Sequence, residues 1–211
     1  MRGRRLVKTI AAVLICFTLS VPRPALAQGI DEATARDQQI TQLYNQGRFS
    51  EALPLAQRAM AIVEKVPWSE HPDLARALNA AADLYRILDH YTDAEPLYER
   101  SLAIREKALG PDHPDVAQSL DGLASLYIAR DRFTDAEHLF KRSLTIREKA
   151  LGPDHPDVAK SLNGLADSYT NQGRYADAEQ LYKRSLTIEE KTLGHDHPDV
   201  ANPLIGLAWL Y

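Results

Sequence analysis

Cysteine is nearly absent: the 211-residue chain has one, Cys16, inside its first apolar stretch. A disulfide framework is excluded, so packing alone must hold the fold. Catalytic motifs are missing as well. Beyond the leader there is no cysteine nucleophile, no glycine-rich phosphate loop and no Gly-x-Ser-x-Gly elbow, so no enzyme and no cofactor are expected. Long apolar runs are also lacking. The stretch TIAAVLICFTLSV at 9–21 has 13 residues, short of the roughly 20 that a helix needs to cross a bilayer.

That stretch follows the basic MRGRRLVK and precedes PRPALAQ, which carries the small-residue pattern Ala25-Leu26-Ala27. Charge, apolar core and small residues in this order predict a signal peptide over 1–27, cut after Ala27. Ile15 is too bulky for the position before a lipidated cysteine, so a lipoprotein is not expected. The chain is expected to be exported, to a bacterial periplasm or the extracellular space, with no membrane attachment after cleavage. Loss of Arg2, Arg4, Arg5, Lys8 and Arg23 from 25 basic residues leaves 20 against 29 acidic ones, a formal charge of −9. That balance opposes binding to nucleic acid or anionic lipid, both of which need a basic face.

What the chain does contain is repetition. LGPDHPDV stands at 109–116 and again at 151–158, and LGHDHPDV follows at 193–200, a period of 42 residues. The units are 71–112, 113–154 and 155–196, with an incomplete fourth at 197–211. Residues 28–70 form a divergent first pair, whose GRFSEA at 47–52 matches GRYADA at 173–178 in the same register. Within a unit the apolar residues recur at steps of three and four, for example Val116, Leu120, Leu123, Ala124 and Tyr127, and a short polar break such as NQGRY divides the unit. Each unit is therefore a helical hairpin. Helices are expected at 31–44, 50–65, 72–88, 92–109, 114–130, 134–151, 156–171, 176–193 and 198–211.

The motif LGPDHPD reads as a stop followed by a start. Gly110 and Gly152 suit a left-handed cap after a helix. The proline fits the first turn of the next helix, where its missing N–H has no partner to lose. Asp115, Asp157 and Asp199 place negative charge at the positive end of the helix dipole. The histidine between them either caps the helix or is simply exposed.

The spacing of Leu123, Ala124, Tyr127, Ala136, Phe140 and Ser143, and of Leu165, Ala166, Tyr169, Ala178, Tyr182 and Ser185, resembles the tetratricopeptide repeat. The 42-residue period and the HPDVA and IREKALGPD segments resemble its kinesin-light-chain class. The resemblance runs from about residue 31 to the end and implies an all-α, right-handed superhelical solenoid of antiparallel helix pairs. It also implies a concave groove lined by the first helix of each pair. The groove positions are Arg76, Asn79, Asp83 and Arg86, then Gln118, Asp121, Ser125 and Ile128, then Lys160, Asn163, Asp167 and Thr170. Repeats of this class usually carry two adjacent asparagines, the second of which grips a ligand backbone. Here the pairs are Asn79-Ala80, Asp121-Gly122 and Asn163-Gly164, so that second amide is missing and the glycines are expected to serve close helix packing.

Other reactive-looking residues have plainer readings. His113, His155 and His197 lie one repeat apart, too distant to share a metal ion whose donors sit about 2 Å from it. His195-Asp196-His197 is a local cluster but is read as a turn, so no metal site is expected. Ser143 and Ser185 are packing positions. Glu137 with Lys141 and Glu179 with Lys183 are i,i+4 pairs on solvated faces. The last unit leaves Leu204, Leu207, Ala208, Leu210 and Tyr211 without a second helix, and Pro203 is expected to break a hydrogen bond within 198–211, at about 3 kcal/mol. The expected function is an exported scaffold binding another protein or peptide in its groove. The alternative is the docking arm of a longer protein whose effector domain follows Tyr211, and self-association through the last helix is a further possibility.

Overall fold

The computed structural model describes residues 39–64 and 72–211. The expected signal peptide and most of the polar run DEATARDQQITQ lie outside the described residues. The chain forms helices α1 (residues 39–45), α2 (Phe49–Glu64), α3 (Pro72–Ile87), α4 (Tyr91–Leu109), α5 (Pro114–Ala129), α6 (Phe133–Leu151), α7 (Pro156–Asn171), α8 (Tyr175–Leu193) and α9 (Ala201–Leu210). Their boundaries fall within a residue or two of the periodicity for α2 through α8, and α1 ends one residue beyond the expected 44. No strand occurs among the described residues. None of their helices is long and apolar enough to cross a membrane.

The joints between units are built as the HPD motif implies, and the histidine has a definite role. His113, His155 and His197 accept, through Nδ1, the backbone N–H of Asp115, Asp157 and Asp199 at 3.2, 3.1 and 3.2 Å. The imidazole is thus an N-cap, satisfying one of the free donors at a helix start. On the other side of each joint Gly110, Gly152 and Gly194 adopt φ of 90°, 90° and 88°, conformations that a side chain would strain. The turn inside each unit also needs positive φ. There the register alternates Gly47, Asp89, Asp131 and Gly173, aspartate being among the few residues that tolerate it.

Packing follows chain order. Each helix packs on its neighbours in sequence, and the first helices α3, α5, α7 and α9 also touch one another in turn. Contact along that layer makes it the inner, shorter arc of the stack. Ala94, Ala136 and Ala178 are wholly buried where helices cross. Tyr98, Phe140 and Tyr182 fill the space between units, and each lies against a glycine of the next. A Cβ on Gly122, Gly164 or Gly206 would sit 2.4, 2.2 or 2.4 Å from the ring of Tyr98, Phe140 or Tyr182. In the first pair the aromatic position is Ala56 and the glycine position Ala80, so the exchange of size is mutual. At Gly122 and Gly164 the aromatic ring of the preceding unit excludes a second asparagine; at Ala80 no aromatic ring stands at the equivalent position.

The last helix departs from expectation. Residues 198–211 do not form one α-helix: Pro198–Val200 is a 3-10 turn and the α-helix begins only at Ala201. Pro203 is the reason. Its absent N–H would have bonded the Asp199 carbonyl, so the chain tightens for three residues and restarts. Pro203 then lies in the first turn of α9, wholly buried, and the interior-proline penalty does not arise.

Candidate functional site: a polar groove along the first helices

One groove of about 1020 Å³ runs along α3, α5, α7 and α9. Of the residues singled out by sequence, Asn79, Asp83, Arg86, Gln118, Asp121, Ser125, Ile128, Lys160, Asn163, Asp167 and Thr170 line it. Arg76 does not; it is exposed, with Asp73 at 3.5 Å.

Several of these side chains are already occupied within the chain. Arg147 of α6 forms an ion pair with Asp121. It also donates to the Asp157 carbonyl at 2.9 Å and Ser161 Oγ at 2.7 Å on the next unit. Arg105 does the same one repeat earlier, donating to the Asp115 carbonyl and Ser119 Oγ, both at 2.8 Å, and to Gln118 Oε1 at 3.0 Å. Arg105 and Arg147 are buried, at 3% and 6% exposure, and each staples one joint. Buried serines complete the joints: Ser101 with Ser119 at 3.0 Å and Ser143 with Ser161 at 2.9 Å.

Asp83 and Asp167 belong to a second device. Each accepts the phenol O–H of a second-helix tyrosine, Tyr98 and Tyr182 respectively. In the middle unit both members change together, to Ser125 and Phe140. Where the hydroxyl is lost, so is the carboxylate that would have been left buried without a donor. Burial pushes the Asp83 carboxyl up, against the pull of the Tyr98 hydroxyl and of Arg86, and desolvation lifts the phenols of Tyr98 and Tyr182 as well.

The sequence reading missed Arg105, Arg147, Glu189, Asn202, Ile205 and Trp209. The last four line the C-terminal third of the groove. A signal was present: REKALG at 105–110 and 147–152 becomes EEKTLG at 189–194. Glu189 is 2% exposed. Its carboxyl is pushed up to about 7 by burial and then by Asp199, against Asn163 and Lys160.

A family model described as tetratricopeptide repeat matches residues 31–107, 82–149, 122–191 and 157–211. The chain is a tetratricopeptide-repeat protein. Among solved structures the repeat array is similar to a Podosopora anserina putative kinesin light chain with nearly identical repeats, at 27% identity and a TM-score of 0.69. The match covers 90% of this chain and 88% of that one. A point-substituted form of that same protein matches at 27% identity and TM-score 0.70, over 90% and 87% of the two chains. BtubC (BKLC) from P. vanneervenii shares the fold at 22% identity and TM-score 0.73, over 90% of this chain and 76% of that one. No curated protein matches. The tetratricopeptide array is thus a right-handed superhelical solenoid of antiparallel helix pairs with kinesin-light-chain-like repeats. Arrays of this family generally serve as protein-interaction scaffolds. Among the described residues no group of three or more histidine, cysteine, aspartate or glutamate side chains could hold a metal ion. His197 caps its helix, and His195 Nδ1 lies 3.1 Å from Glu190 Oε1.

Proposed function

We propose that the array is an exported scaffold, not an enzyme, whose groove holds a segment of another protein. The observation that carries this is the groove itself. It is continuous across three joints and bounded by polar side chains of both signs, and its walls are fixed by the arginine and serine contacts described above. A preformed trough of this size spares a ligand the cost of ordering its receptor. Random peptides displayed against the full chain test the reading. Groove peptides should lose binding when Lys160→Glu or Ser125→Arg is introduced, while the helical circular dichroism of the array is unchanged. Peptides indifferent to both substitutions would place the ligand elsewhere. Export is tested by fractionating cells that express the full chain: the expected product lacks residues 1–27 and sits outside the cytoplasm.

The exposed side of α9 supports a second reading. Leu204, Ile205, Trp209 and Tyr211 are 48%, 56%, 82% and 87% exposed, an apolar strip suited to packing on a further helical surface. That surface belongs either to a second copy or to the effector part of a longer protein. Light scattering that stays monomeric across a wide concentration range would remove the second copy.

A further inference from the structure

The third joint of the groove keeps the layout of the first two and loses their donor. At the first two, Arg105 and Arg147 reach across to the next unit. At the third the same position holds Glu189, and Pro203 stands where the others have Ser119 and Ser161. Glu189 Oε1 accepts from Asn163 Nδ2 at 3.3 Å. Glu189 Oε2 and Asn163 Oδ1, both buried, have no hydrogen-bond partner. Both residues line the groove, with Lys160 and Asp199 beside them. Lys160 is already held by Asp157, at 2.8 Å. Asn79 Oδ1 is likewise unpartnered at the first joint. What is peculiar to the third is therefore the unpartnered oxygen of the buried Glu189 carboxyl, in a place where the other joints hold a guanidinium, and it describes a site shaped for a cation.

We propose that this joint binds an arginine side chain of the partner segment, its guanidinium taking between Glu189 and Asn163 the place that Arg105 and Arg147 fill from within the chain. The proposal rests on the groove reading above and specifies the chemistry of its ligand. Arginine suits the site better than lysine. Its flat, five-donor fork can serve a carboxylate and an amide oxygen at once and sheds its hydration more readily than an ammonium. The neighbouring Ile205 and Trp209 offer apolar surface to the arginine stem or to the next residue of the segment.

The test uses the full chain and two small probes, N-acetyl-arginine methylamide and its citrulline counterpart, which has the same shape without the charge. The carboxyl carbon of Glu189 is followed by nuclear magnetic resonance at neutral pH. The arginine probe should shift that resonance saturably, with citrulline at least tenfold weaker. Glu189→Gln should weaken the arginine probe at least tenfold, read on neighbouring backbone amides. Glu189→Arg should abolish the response and melt no lower than the parent, because the arginine is then supplied in cis. No shift with millimolar arginine probe, an equal response to citrulline, or unchanged binding in Glu189→Gln overturns the proposal. Failure of the groove reading would look different: the arginine probe would still titrate Glu189 while no displayed peptide bound the groove. Groove peptides that bind without arginine and ignore Glu189→Arg would leave the groove standing and sink the arginine site.

Discussion

Gly164 has no room for a methyl group, since a Cβ there would lie 2.2 Å from the Phe140 ring. Gly164→Ala should therefore destabilise the array by about 1–3 kcal/mol, the usual cost of overpacking a filled site. Urea denaturation measures this, and adding Phe140→Leu should return part of the loss. Two carboxylates give the array opposite pH dependences. Glu137 is held at about 2: burial works to raise it, but hydrogen bonds from Lys141, Gln172 and Arg174 prevail. Its folded value lies below the unfolded value of about 4.3. The stability it lends is therefore present above that pH and lost as pH falls toward 2. Glu189 is raised to about 7, so its contribution is fully present below about pH 4.3 and lost as pH rises through 7. Melting curves should show the advantage of Glu189→Gln over the parent growing from about pH 4 to 7 and then levelling. For Glu137→Gln the deficit should shrink on acidification below about pH 4.

At the scale of helices, the arginine staples are the least dispensable contacts. Arg147→Ala strands the Asp121 carboxylate, whose side chain is 19% exposed, and should cost about 3–5 kcal/mol. A double-mutant cycle with Asp121→Asn should recover a good part of it, since the neutral amide needs no counter-charge. The helices themselves were legible in the sequence. Three copies of a motif fix where α5 and α7 begin, because proline, aspartate and glycine act through local backbone geometry. The break at Pro198–Val200 was not read, since it turns on which carbonyl Pro203 leaves unbonded. Asp121 and Arg147 are 26 residues apart, and no local pattern pairs them. Yet aligning the repeats against one another shows Asp83 with Tyr98, Ser125 with Phe140, and Asp167 with Tyr182. Coupled change at fixed spacing was the available clue to the groove's internal contacts. That Glu189 faces the groove required the stacked structure.

For the molecule as a whole, stability is a sum of unit and joint terms, and the joints are unequal. Of the three joints along the groove, the first two have an arginine staple and a serine pair, while the third has neither. Native-state hydrogen exchange should therefore be slowest in α5 through α7 and faster in α9. Uniform protection along the array would mean that joint chemistry does not govern its opening. The groove grades in the same direction, from charged walls at Asp83 and Arg86 to Ile205 and Trp209, so the segment proposed to bind there should lie with a preferred polarity.

Because Arg105 and Arg147 grasp equivalent atoms, the 42-residue block is interchangeable in one place and not in another. Excising 113–154 would bring Arg105 to the Asp157 carbonyl and Ser161, and Tyr98 to Gly164, reproducing a native seam. A cut that instead set Glu189 against Ser119 or Ser161 would marry an acid to a socket shaped for a base. Gain and loss of cassettes is thereby permitted upstream, while the Glu189 seam matches neither arginine socket.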